Sequence, residues 1–238
     1  RPFINAELEY EHIEKCAITE FTTTQYDLCY IAQGRCVIDV DGERRVIGEK
    51  SLYLLERGTH RVEKYTGLYG VFEQVVIHID SESICRPVTS CEREQERFIH
   101  AILMGVVANM TISELAEMCC LSVSTFKRRF KNYSDEPPHV WLLGCRLDLA
   151  FRIATTIGIA TSDLASMCGF ISTSHFIATF KRRFGITPSR LCRPSYSQYL
   201  SDIISASAMP SVCKCVYRHS RKWRYGHFCT LVTSHHPP

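Results

Sequence analysis

The side chains best suited to chemistry lie in a doubled stretch, residues 112–130 (ISELAEMCCLSVSTFKRRF) and 162–184 (SDLASMCGFISTSHFIATFKRRF). Each copy has a short apolar segment, a tight turn and a second segment in which Ser, Thr, Lys and Arg are interleaved with Phe. Hydroxyls and cations in this pattern perform no covalent chemistry. They donate and accept hydrogen bonds and attract a polyanion. Two short helices joined by a tight turn, the second with a basic outer face, are the sequence form of a helix-turn-helix, and such a face suits the major groove of duplex DNA.

The elements that must position these side chains follow from local rules. Thr111-Ile112-Ser113-Glu114 has the capping-box arrangement, so a helix should begin at Ile112. Leu115, Ala116 and Cys119 share its apolar face. Ser122 is placed to cap the next helix, whose Val123, Phe126 and Phe130 recur at spacings of three and four and point to a core. That leaves Ser124, Thr125, Lys127, Arg128 and Lys131 toward solvent. The second copy is offset by 49 residues in its first helix and by 50 in its second, one residue having been added in the turn. Ser172 becomes the cap, Phe176 and Phe180 the core pair, and Thr173, Ser174, Ile177, Ala178 and Lys181 the outward set. The two KRRF motifs are therefore not equivalent. Lys127 and Arg128 sit mid-helix near base edges, whereas Lys181 and Arg182 sit at a distal end suited to phosphate contact or a solvated face.

Between the copies, Pro137-Pro138 precedes a run with helical periodicity over residues 140–157. At about 1.5 Å per residue its 18 residues extend roughly 27 Å, close to the ~34 Å between successive major-groove faces.

Charge divides along the chain in the same sense. Residues 1–110 carry 12 Lys and Arg against 18 Asp and Glu, a net of −6, whereas residues 111–193 carry 11 against 6, a net of +5. Only the basic half is expected to meet a polyanion. Thirteen cysteines, an odd number spread through core positions such as Cys119, Cys145 and Cys168, read as buried free thiols of a reducing cytoplasm rather than a disulfide framework. No apolar run approaches the ~18 residues needed to span a membrane, and no signal peptide is visible.

From Tyr26 the acidic half turns to short β-branched and aromatic runs with turn signals at Gly34, Asp41-Gly42, Gly48 and Gly58, which predicts an antiparallel barrel or sandwich with a hairpin at Asp41-Gly42. A catalytic metal needs about three protein ligands, and only His60 and His78 stand in this region, so no metal and no cofactor are expected. Residues 91–108 turn helical, polar first and apolar later, and should pack on the strands or on a partner chain. Past Arg193 the pattern stops. Cys213, Cys215, His219, His227 and Cys229 fit no zinc-ligand spacing, and Arg218, Arg221, Lys222 and Arg224 with Trp223 and Tyr225 would add nonspecific phosphate affinity in an ill-ordered basic tail.

Arg146-Leu147 with Ala150, the Cys168-Gly169-Phe170 turn, Ser172-x-Ser174-x-Phe176, Phe180-x3-Phe184-Gly185 and Thr187-Pro188 together resemble the AraC/XylS family of bacterial transcription regulators over residues 111–193. The glycines and closing Gly-Thr-His of residues 33–63 resemble the cupin-like barrel at the front of many such proteins. The resemblance implies an α+β chain. A cupin-like effector or dimerisation domain (1–90) and a connecting helix (91–110) would be followed by an all-α domain of two helix-turn-helix units and a linker helix (111–193), then the tail (194–238). It implies no enzyme but a cytoplasmic, nucleoid-associated DNA-binding activator. Its partners would be promoter DNA, RNA polymerase, a small-molecule effector and a second copy in a homodimer, with no membrane. By the family's pattern Ser124, Thr125, Lys127 and Arg128 carry base and nearby phosphate contacts in the first unit, and Thr173, Ser174, His175 and Ala178 hold the matching positions in the second. Ala178 departs from that pattern: it cannot hydrogen-bond a base, although it can touch a thymine methyl. Arg146 would brace the units internally or contact phosphate. Two other readings stay open, a small-molecule-binding or metal-dependent cupin with a helical interaction module, and a protein-interaction adaptor.

Overall fold

A computed structural model describes residues 6–40, 42–80 and 92–191. Its first part is all strand: β1 (Glu7–Ile13), β2 (Ala17–Thr23), β3 (Tyr26–Gln33), β4 (Arg35–Val40), β5 (Glu43–Ile47), β6 (Leu52–Leu55), β7 (Gly58–Tyr65) and β8 (Phe72–Ile79). They form two antiparallel four-stranded sheets, in the orders β1-β8-β3-β6 and β2-β7-β4-β5. The expectation of a barrel is corrected here: the sheets are not closed into one. Closure needs a ladder that continues around a cylinder, and the edge strands β5 and β6, at five and four residues, are short for that task. The β4–β5 hairpin falls at the predicted turn, with Val40 opposite Glu43. Gly42, at φ +82°, donates its N–H to Asp39 Oδ1 at 2.9 Å, a conformation glycine adopts without strain; Asp41 lies outside the described residues.

β3 and β8 are buried on both faces, and the period of two explains how. Cys29, Ile31 and Phe72 join Cys36, Ile38, Tyr53, Leu55 and Val62 between the sheets, whereas Tyr26, Leu28, Tyr30, Val75, Ile77 and Ile79 join the helices. Several polar groups between the strands are paired: Tyr53 Oη donates to Gln74 Oε1 at 2.9 Å, Lys64 Nζ to Glu11 at 2.6 and 2.8 Å, and Gln74 Nε2 to Glu11 Oε2. His78 Nδ1 stands 2.8 Å from Asp27 and its Nε2 3.5 Å from Glu9. Hydrogen bonding to Asp27, then to Glu9, raises its pKa to about 10, the direction in which acidic partners favour the protonated ring. His60 Nε2 bonds the Glu56 carbonyl instead, at 2.6 Å.

The helices are α1 (Glu92–Val107), α2 (Ile112–Met118), α3 (Val123–Phe130), α4 (Pro138–Thr156), α5 (Thr161–Met167), α6 (Thr173–Phe184) and α7 (Pro188–Leu191). α1 buries Phe98, Ile99, Ala101, Ile102, Leu103 and Val106. Its contacts run to β6 on one side and to α2 and α4 on the other, so its apolar face is used within the chain. Gly105 permits the closest approach, because a Cβ there would meet Leu115 Cδ1 at 2.9 Å and Leu142 Cδ2 at 3.2 Å. The central α4 begins two residues before the expected Val140, with Pro138 in the first turn, where a missing N–H costs nothing.

Cys29, Cys36, Cys119, Cys145 and Cys168 are buried thiols outside any disulfide, as the sequence suggested for Cys119, Cys145 and Cys168, and Cys16 and Cys120 are exposed thiols outside any disulfide. Among the described residues no helix is long and apolar enough to cross a membrane. The expectations for the tail, its cysteines and its basic cluster lie outside the described residues.

Candidate nucleic-acid interface

The first helix pair starts on the predicted capping box. Glu114 N–H donates to Thr111 Oγ1 at 3.3 Å and Thr111 N–H to Glu114 Oε2 at 2.6 Å; the backbone bond from Thr111 lowers the Glu114 pKa. Leu115, Ala116 and Cys119 are buried. The chain turns through Cys120 at φ +54°, and Leu121 N–H reaches back to the Ala116 carbonyl at 2.9 Å. Ser122 then caps α3, its Oγ accepting from Thr125 N–H at 3.2 Å.

Phe126 and Phe130 are buried as expected, at 0% and 1% exposure. Val123 is not: it is 37% exposed, because the first helical residue sits at the rim, one turn short of the packed face. Ser124, Lys127, Arg128 and Lys131 are exposed and Thr125 is half-buried. The Ser124 and Thr125 hydroxyls lie 3.0 and 2.9 Å from Ser122 Oγ, so they are held in the capping network at the helix start. The cations lie further along: because α3 stops at Phe130, Lys127 and Arg128 fall in its last turn, not mid-helix as the sequence suggested, and Lys131 is its C-cap.

The second pair repeats this plan with substitutions. Ala160 offers no side-chain cap to α5, whereas Ser172 Oγ accepts from His175 N–H at 3.4 Å at the start of α6. Gly169 makes the turn at φ +76°, and a Cβ there would strike Asn109 Oδ1 at 2.7 Å. Phe176 and Phe180 are fully buried. Ser174, His175, Ala178, Lys181 and Arg182 are exposed, and Thr173 and Ile177 half-buried. The His175 ring stands edge-on to Phe170 at 5.2 Å between centroids. Gly185 closes α6 in the left-handed conformation at φ +76° and Pro188 opens α7, as the sequence indicates.

Sequence reasoning missed the third residue of each KRRF. Arg129 turns inward: its Nη1 is 3.5 Å from Glu94 Oε2 and its guanidinium stands 5.1 Å from the Phe98 ring centroid, both on α1. Arg183 forms a bidentate pair with Asp148 of α4, at 2.8, 2.6 and 2.8 Å. The available signal was helical spacing. Each arginine follows a core phenylalanine, Phe126 or Phe180, by three residues, which places it at the edge of the packed face. Their acidic partners come from other helices and had no sequence signal. Arg146 also serves the interior, its Nη2 donating to the Gly105 carbonyl of α1, with burial lowering its pKa. The cations left outward by this geometry are Lys127, Arg128 and Lys131 on α3, and Lys181 and Arg182 on α6.

Residues 115–193 match the family described as helix-turn-helix domain. The probable transcriptional regulator LumQ of Photobacterium leiognathi is 35% identical over 81 residues, 34% of this chain and 33% of that protein. The virulence regulon transcriptional activator VirF of Yersinia enterocolitica is 28% identical over 98 residues, 41% of this chain and 36% of that protein. The chain thus spans about a third of the length of these curated relatives. Among solved structures, a transcriptional regulator from Chromobacterium violaceum, of the proteins containing an AraC-type DNA-binding domain, is 25% identical with a TM-score of 0.37, covering 42% of this chain and 92% of that one.

Proposed function

We propose, from the match of residues 115–193 to the helix-turn-helix domain family and to transcription regulators, that the chain is an AraC-type, sequence-specific DNA-binding transcription regulator and acts as an activator. The two helix pairs are two helix-turn-helix units on the shared helix α4, and α3 and α6 enter successive major grooves of one duplex, with half-sites about one turn apart. In the first unit Lys127 and Arg128 reach base edges, Ser124 and Thr125 touch bases and phosphates near the helix start, and Lys131 meets the backbone. In the second, Thr173, Ser174, His175 and Ala178 face the bases, while Lys181 and Arg182 contact phosphate. The front sheets are a cupin-like module for effector sensing or dimerisation, RNA polymerase is the partner in activation, and the protein works in the bacterial cytoplasm. No covalent step is assigned to any residue.

The observation that carries this reading is the outer face of α3, where Lys127, Arg128 and Lys131 are exposed while Phe126 and Phe130 hold the helix from behind. A gel-shift series across salt concentration tests it. Affinity should fall steeply and linearly with the logarithm of salt, with a selected site surviving to higher salt than random duplex. Binding that is absent at low salt, or indifferent to both salt and sequence, would overturn it.

A further inference from the structure

Ile171 is the residue by which the two turns differ. Positions in the first copy map onto the second at an offset of 49 as far as Leu121 and Phe170, and at 50 from Ser122 and Ser172 onward, so Ile171 is the added residue. The backbone agrees. Leu121 N–H bonds the Ala116 carbonyl and Phe170 N–H the Ala165 carbonyl, both at 2.9 Å, after which the second chain takes one more residue to reach its cap. A hydrophobic residue directly before an N-cap ordinarily packs on the fourth helical residue. In the first pair that residue is Leu121, half-buried against the core. In the second the partner position, Phe176, is taken by Phe170, with ring centroids 5.4 Å apart. Ile171 is left fully exposed, at 106%.

A single exposed isoleucine is ordinary on a protein surface; the place of this one is not. It stands directly before the cap of α6, at the end of a recognition helix that reaches base edges. The same helix carries Ala178 outward where the first unit carries Arg128, so relative to the first unit the second has lost an outward guanidinium further along its helix and gained a branched apolar side chain before its cap. The one apolar feature that a base edge offers in the major groove is the 5-methyl group of thymine.

We infer that Ile171 is a specificity residue of the second unit and packs against the 5-methyl group of a thymine in that unit's half-site. The inference rests on the DNA-reading function proposed above. The second half-site is then chosen by methyl contact, whereas the first is chosen by hydrogen bonds from Lys127 and Arg128.

Thymine and deoxyuridine differ only by that methyl group, so their exchange isolates the contact. The full chain would be titrated against a duplex selected from random DNA, its two half-sites assigned by footprinting, with the thymines of the second half-site replaced by deoxyuridine. Binding should weaken about three- to tenfold, the worth of one buried methyl or somewhat more. Ile171→Ser should bind the thymine duplex about as weakly as the unaltered protein binds the deoxyuridine duplex, and should ignore the exchange. Because the side chain is fully exposed, the variant's melting curve should match that of the unaltered protein, separating a lost contact from a lost fold. Equal affinity of the unaltered protein for the two duplexes overturns the inference. So does an Ile171→Ser variant that keeps full affinity or methyl sensitivity, since the contact would then belong to another residue or the isoleucine to another partner. Binding without methyl sensitivity defeats this inference alone; the absence of salt-dependent binding to any duplex defeats the regulator reading with it.

Discussion

The two helix pairs end their second helices on the same four letters, Lys-Arg-Arg-Phe, and anchor the third of them differently. Arg129 leans on α1, across a 3.5 Å contact to Glu94, which is itself 55% exposed, and over the face of Phe98. Arg183 grips Asp148 of α4 through two nitrogens, and the Asp148 side chain is only 9% exposed. α3 is thus braced by an aromatic face and a loose ion pair, α6 by a shielded fork. At an offset of 50, Arg129 corresponds to buried Thr179 and Arg183 to half-buried Tyr133. One short motif placed at two depths of a helix gives two different attachments, and it also decides which cations remain outward.

The largest effect should come from what the pairs share. Phe126 and Phe176 belong to one continuous core, so Phe126→Ala and Phe176→Ala should each cost about 3–5 kcal/mol, in a single transition on urea denaturation followed by circular dichroism. A biphasic curve for Phe176→Ala alone would break the comparison by making the second pair an independent unit. The contrast between the braces is next in size. Asp148→Ala strands a half-buried guanidinium and should cost about 3 kcal/mol, whereas Glu94→Ala should cost less than about 1 kcal/mol; equal costs in the same measurement would show the two braces to be equivalent.

On DNA, Arg128→Ala should weaken specific binding by about 1–3 kcal/mol and relax preference at one base pair. Lys181→Ala should weaken all sequences alike and lower the salt slope by about one. A uniform loss for Arg128→Ala in parallel gel shifts would reassign it to the phosphate backbone. The smallest effect concerns the tie between the second pair and the strands, where Lys50 Nζ lies 3.0 Å from Asp163, with the lysine 61% exposed. Lys50→Ala should change stability by less than about 1 kcal/mol, and by less still at high salt, as thermal melts at two ionic strengths would reveal.

What the sequence determined by itself was local. Helix starts at Ile112, Val123 and Thr173 were legible because Thr111, Ser122 and Ser172 are caps whose chemistry acts within three residues, and the stop at Gly185 because a left-handed residue suits glycine. Phe126, Phe130, Phe176 and Phe180 were legible as core from helical period, and with them most of the outward set on α3 and α6; Val123, placed with the core, is exposed at the rim, and Thr125, Thr173 and Ile177, placed outward, are half-buried, Ile177 against the core. The β4–β5 hairpin was legible from its turn. Tertiary structure decided whatever required a partner distant in the chain. Two sheets form in place of a closed barrel because strand pairing is settled by neighbours up to about seventy residues away, as β1 is by β8. The apolar face of α1 is used between the strands and α2 and α4, where the sequence left it open to another chain. The inward arginines follow the same rule: the letters K-R-R-F do not encode which guanidinium will meet Glu94 or Asp148, because helix packing sets that distance and a charge pairs with whatever packing brings beside it.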